Sequence, residues 1–235
     1  MQFPRTTPLV RILALALVVL IAGPAFVWFF WLPHHRPGLR PGEVYGVDVS
    51  SSDGVIDWVG VAQAGMRFAY VRATAGDSVT DDRFLDNWEG AGATGLRRGA
   101  VHAFSLCSDG VDQAVYFLGT APRAAGALPP AVELNLAGNC AKRPDPDAVN
   151  QQFKVFLATV EGAWKARMLI FVGADWQKRY PVPTSVDRPR WRAGLLSRPA
   201  QPWAVWRLHG YAHVDGIKPR VDLDVGRLAD LGTVP

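Results

Sequence analysis

The sequence predicts an α/β fold: an irregular TIM-like (β/α) barrel of eight strands and about five helices, preceded by one N-terminal transmembrane helix. Three observations predict it. The chain opens on a long uncharged apolar run. After residue 43, short apolar runs rich in Val, Ala and Phe alternate with amphipathic stretches, the pattern of strand and helix units around a parallel sheet. The last three apolar runs follow one another with too few residues for helices between them, which makes the barrel irregular.

The opening run, Ile12 to Leu32, holds 21 residues without a charge. That length crosses a hydrocarbon core of about 30 Å as a helix. Its aromatic end, Phe26 to Trp31, suits a membrane interface. Arg5 and Arg11 precede it, and His34, His35 and Arg36 follow. No small-x-small cleavage pattern follows Gly23-Pro24-Ala25, so the expectation is an uncleaved anchor with the bulk of the chain exported. Residues 1–33 form this anchor, with a signal sequence as the alternative, 34–43 a stiff Pro/Gly-rich linker, and 44–235 the barrel.

Within the barrel the expected strands are Tyr45 to Ser50, Phe68 to Thr74, Gly99 to Phe104, Ala131 to Leu136, Met168 to Val172, Trp191 to Leu195, Trp203 to Leu208 and Val221 to Val225. Helices are expected over Asp57 to Ala64, Asp82 to Ala93, Val111 to Gly119 and Asp147 to Trp164, with a short one near Trp176. The fourth strand is the most informative. Pro129 and Pro130 forbid helix, and Ala131-Val132-Glu133-Leu134-Asn135-Leu136 then alternates. Glu133 and Asn135, two apart, share one face. A carboxylate and an amide on an otherwise apolar strand are costly to bury unless that face lines a wet pocket or is fully hydrogen-bonded.

Reactive groups in such barrels sit where strands end and loops begin. Asp48, Arg72, His102, Glu133, Asn135, Trp206 and Asp222 all fall on candidate strands, Asp224 beside the last of them. The charge argues against nucleic acid as a partner. Of the net +4, residues 1–43 carry +3 and the body only +1. Nine tryptophans favour stacking on flat apolar faces, sugars included, over phosphate tracking. No metal-ligand spacing joins His102 to His209 or His213, and neither metal nor cofactor is expected.

Several motifs together resemble one family. Tyr45-Gly46-Val47-Asp48-Val49-Ser50, Ile56-Asp57-Trp58 and Ala64-Gly65-Met66-Arg67-Phe68-Ala69 are similar to the opening of the glycoside hydrolase family 25 lysozymes. Arg72-Ala73-Thr74-Ala75-Gly76, Gly99-Ala100-Val101-His102-Ala103-Phe104, Leu128-Pro129-Pro130 and Val221-Asp222-Leu223-Asp224-Val225 extend the resemblance over residues 44–228. It implies a muramidase barrel acting on the β-1,4 bond between N-acetylmuramic acid and N-acetylglucosamine in bacterial peptidoglycan. It implies catalytic positions at Asp48, Glu133, Asn135 and Asp222, and substrate contacts at Arg72, His102, Phe104, Phe171 and Trp206.

The family carries Asp-x-Glu on the fourth strand, with the Glu as proton donor. Aligning Leu128-Pro129-Pro130 puts Glu133 at the assisting Asp and Asn135 at the acid. An amide gives no proton near neutral pH. Glu133 starts about 6 to 7 Å away along the strand, and its extra methylene of about 1.5 Å does not close that gap. Ala75 stands for a Glu, Val101 for an aromatic residue, Phe171 for a Tyr and Arg207-Leu208 for Gln-Tyr, so the pocket is expected to have lost polar groups. The expectation is a membrane-anchored protein of the bacterial envelope that acts on or binds peptidoglycan with impaired catalysis. The alternative is a non-catalytic binding or scaffold protein. Cys107 follows the third strand and Cys140 the fourth. If those strands are neighbours, both sulfurs sit in adjacent loops, and in an exported protein a disulfide is expected. Some bacterial members of the family have cysteines at the matching places.

Overall fold

The computed structural model describes residues 8–235, so Arg5 lies outside the described residues. Contacts divide the chain into two units, residues 1–37 and 38–235. The first unit contains α1 (Pro8–Phe26), a π-helical stretch (Val27–Trp31) and α2 (Leu32–His34). Together they form an apolar helical run of 27 residues, long and apolar enough to cross a membrane. At 1.5 Å per residue such a run measures about 40 Å.

The second unit is a closed barrel. Its strands are β1 (Val44–Val49), β2 (Met66–Ala75), β3 (Val79–Thr80), β4 (Arg97–Ala103), β5 (Ala131–Leu134), β6 (Leu169–Val172), β7 (Arg190–Ala193), β8 (Val205–Val214) and β9 (Ile217–Gly226). The sheet runs β1-β9-β8-β7-β6-β5-β4-β2, and β1 closes it by pairing with β2. Only β9 runs antiparallel to its barrel neighbours, pairing that way with both β1 and β8. The eight expected strands all appear. The two-residue β3, a ninth, pairs antiparallel with the end of β2 and makes a lip outside the closure.

The five expected helices are α3 (Trp58–Gln63), α4 (Phe84–Ala93), α5 (Gly110–Thr120), α6 (Pro146–Trp164) and α7 (Ala174–Arg179). A four-residue α8 (Leu228–Leu231) follows the last strand. Local chemistry sets several ends. Asp57 accepts hydrogen bonds from Val59 N and Gly60 N at the start of α3, and Asp145 caps α6 just before Pro146.

Strand alternation sorts the core into two layers. Phe68, Tyr70, Val101, Leu169, Phe171 and Trp191 pack together inside the barrel. Their neighbours in sequence, such as Ala69, Val71, Ala100 and Ile170, join Trp206 and the helix residues Phe117, Phe153, Phe156 and Val160 outside it. The inner rings require small residues opposite them. A Cβ on Gly46 would lie 2.4 Å from the Phe68 ring, and one on Gly99 would lie 2.2 Å from the Tyr70 ring. The linker residues nearest the barrel are fastened to it. Arg198 Nη1 donates to Glu43 Oε1 at 2.5 Å, and Arg198 Nη2 to Gly38 O at 2.7 Å.

Candidate active site

The inward face of four strands converges on one buried guanidinium. Arg207, on β8, donates from Nε to Asp48 Oδ2 at 3.0 Å and from Nη2 to Asp48 Oδ1 at 2.8 Å and Glu133 Oε1 at 2.7 Å. Its Nε also lies 3.7 Å from Asp222 Oδ2. The guanidinium carbon sits 4.4 Å from the Phe171 ring centre and 4.7 Å from that of Trp191. Arg72, on β2, donates from Nη2 to the other oxygen of Glu133. Glu133 is therefore gripped by two cations on two strands.

Strand pairing and alternation explain why these groups meet. Asp48 and Asp222 are direct partners across the antiparallel β1–β9 pair. Glu133 follows Ala131 on the inner face, and Arg207 follows Val205 two residues along β8. Asp224, one inward position deeper than Asp222, is fully buried and accepts from Trp191 Nε1 at 3.0 Å. Its Oδ2 has no hydrogen-bond partner as a carboxylate. A proton there lets it donate to Asp48, which the two groups' mutual electrostatics favour.

Burial pushes the Asp48 carboxyl up to about 7; Arg207 opposes the rise, and Asp222 and Glu133 add to it. Burial also drives Asp224 well above the usual carboxylate range, with Asp48 next in weight. Glu133 goes the other way. Burial would raise it, but the Arg72 and Arg207 charges and their hydrogen bonds outweigh burial and hold it below its ordinary value. Arg207 is secured as a cation: burial works against its charge, and Asp48, Glu133 and Asp222 more than compensate.

Two adjoining cavities open over this cluster. A polar hollow of about 320 Å³ is lined by Asp48, Asp222, Arg207 and Tyr70. A wider cleft of about 650 Å³ runs between the β3 lip and the loops carrying Cys107 and Cys140. Arg72, Glu133 and Asn135 line both. Asn135 stands one residue beyond β5, and a Cβ on Gly173 would lie 2.3 Å from its Oδ1. The two cysteines form the expected disulfide across the cleft rim, with Cα atoms 5.9 Å apart.

The structure brings together Asp48, Asp222, Glu133, Asn135 and Arg72, and it moves other expected site residues away. His102 is fully buried on the helix side of β4. It bonds Thr74 Oγ1 at 2.8 Å and Gln113 Oε1 at 3.1 Å, and its ring stacks on Phe156. Burial pushes its imidazole down to about 4, so it is a neutral core residue and does not reach the cleft. Trp206 is corrected for the same reason. It faces the outer layer, fully buried against Trp203, with Nε1 donating to Gly194 O at 2.8 Å. Phe104 backs the wider cleft, and Phe171 touches the site through the face it offers Arg207.

The expected loss of polar groups also needs correction. Arg207, read from the sequence as a departure from Gln, brings a cation into the centre of the acidic cluster. Trp191, which supports it, was not singled out either. The available signal was a charged residue between Trp206 and Leu208 on a strand buried on both faces, where a charge needs partners.

The acidic groups gather at the end of the barrel where its parallel strands finish, the place where barrel enzymes carry their sites. Residues 47–218 match the glycosyl hydrolases family 25, and the chain belongs to that family. It is 30% identical over 191 residues to the uncharacterized protein YegX of Escherichia coli K12, covering 77% of this chain and 69% of that one. Lysozyme M1 of Streptomyces globisporus is 31% identical over 196 residues, 76% of this chain and 66% of its own. A family 25 glycosyl hydrolase from Bacillus anthracis superposes with a TM-score of 0.74 at 27% identity, over 82% of this chain and 93% of that one.

Proposed function

We propose that the barrel is a lysozyme-like domain that holds peptidoglycan glycan in its cleft and cleaves it slowly or not at all. The observation that carries this reading is Arg207 bound between Asp48 and Glu133. Glycoside hydrolysis passes through a positively charged sugar ring and needs a protonated acid at the leaving oxygen. A cluster of carboxylates around the ring serves that charge. Here the carboxylates already hold a guanidinium, so little negative charge is left for a sugar cation.

The proton donor is missing as well. Asn135 takes the position that the Leu128-Pro129-Pro130 resemblance assigns to the acid, and its amide has no proton to give. Glu133 is kept ionised by its two arginines. Asp48 titrates near neutrality, yet both its oxygens accept hydrogen bonds from Arg207. Binding survives these changes: the cleft remains open, and the Asn135 amide beside Arg72 offers a donor and an acceptor of the kind an N-acetylated sugar requires. The apolar N-terminal helix is read as the anchor that keeps this domain in the cell envelope.

Insoluble peptidoglycan tests the reading. The purified full chain is expected to sediment with it while releasing no new reducing ends. Release at the rate of an active muramidase, or failure to sediment, contradicts it.

A further inference from the structure

The parallel strands begin at the pole opposite the cleft, and arginines collect there. Arg67 lies at the start of β2, Arg97 and Arg98 open β4, and Arg190 opens β7. None of these four has a carboxylate within ion-pair distance among the described residues. Their hydrogen bonds go to backbone carbonyls. Arg97 Nη2 donates to Gly232 O at 2.8 Å and Arg190 Nη2 to Val186 O at 2.8 Å, while Arg67 and Arg98 donate to Met66 O and Trp88 O. A carbonyl satisfies a donor and leaves the charge uncancelled.

The acids on this side are already engaged. Asp187, Glu161 and Asp230 each pair with a different arginine, Arg167, Arg188 and Arg227. Glu89 acts on Arg98 through space without forming an ion pair. The pole therefore carries an unneutralised positive charge, although the body of the chain is nearly neutral.

The chain also enters the barrel here. Val44 begins β1 opposite Gly226 at the end of β9, directly after the fastened residues 38–43. From His34, where the apolar helical run ends, to Gly38 the chain reaches at most about 14 Å when extended. Cations brought within about 10 Å of charged lipid feel its surface potential.

We infer that this arginine pole docks on the anionic phosphate headgroups of a bilayer, so that the cleft opens away from the lipid. The inference rests on the N-terminal helix being a membrane anchor. Hydrogen exchange of the full chain in lipid nanodiscs tests both separately. Entry into discs of neutral phosphatidylcholine reports the anchor. Adding phosphatidylglycerol is expected to slow exchange about fivefold in residues 94–98 and 121–127, with no change in the β3 lip. The slowing is expected to vanish in high salt and in the double variant Arg67→Gln, Arg190→Gln, whose thermal midpoint should match the starting protein. Equal exchange in neutral and anionic discs, or slowing at the lip instead, overturns the docking pole. A chain that enters no disc overturns the anchor, and sedimentation with phosphatidylglycerol vesicles then decides the pole: binding supports it, and no binding overturns it.

Discussion

Arg207 is fixed by three kinds of interaction at once: hydrogen bonds to Asp48 and Glu133, the nearby Asp222 charge, and the faces of Phe171 and Trp191. Such a cluster is stable only while its charges balance, because a buried ion that loses its partner keeps the full cost of leaving water. Glu133→Gln would leave Arg72 and Arg207 short of one carboxylate, and chemical denaturation should show a loss of about 3–5 kcal/mol. A change below about 1 kcal/mol would mean that the arginines find other partners. The pH dependence of folding follows from Asp48. Its folded-state carboxyl titrates near 7, above the unfolded value, so the folded protein holds a proton that the unfolded chain has already released. Its contribution to stability is complete at acid pH and is lost as pH rises through about 7. Glu133, held low, contributes in the opposite sense and loses its share only as pH falls through its depressed value. The thermal midpoint should thus decline from mildly acidic to mildly alkaline buffer. A midpoint that climbs over that range contradicts the Asp48 assignment.

At the scale of the elements, the disulfide ties the loop after β4 to the loop after β5 and closes 33 residues of separation. By loop-closure entropy its removal costs about 3–4 kcal/mol. The paired change Cys107→Ser, Cys140→Ser should lower stability by that amount in denaturant and speed exchange in the cleft rim; unchanged stability would refute the structural role. The strands themselves were legible because alternation and Pro-Pro punctuation are local signals, and so were the helices with their Asp caps. Two short elements, β3 and α8, were not, since two or four residues carry no periodicity. Facing was harder than location. His102 and Trp206 were placed on the correct strands and assigned to the wrong side, because a shift of one residue exchanges the faces of a strand. The β2–β4 and β8–β9 pairs contain register irregularities, which a fixed period of two cannot anticipate.

Over the whole molecule, charge is separated between two poles of the barrel: an acidic cluster closed by a guanidinium where the parallel strands end, and an arginine surface where they begin. The acids of the first pole were legible in the sequence as carboxylates on separate strands. The guanidinium was not, because its meaning depends on four strands meeting at one point, and the arginine pole was invisible because its members are spread from Arg67 to Arg190 along the chain. The proposed obstacles to cleavage are two, an amide at Asn135 and a cation at Arg207. The direct measurement is release of reducing ends from peptidoglycan by the starting protein, by Asn135→Glu, and by Asn135→Glu combined with Arg207→Gln. Negligible release is expected from the first, little from the second, and a gain of about a hundredfold or more from the third, the ordinary worth of a general acid. Rapid release by the starting protein, or full recovery by Asn135→Glu with Arg207 in place, would contradict this reading.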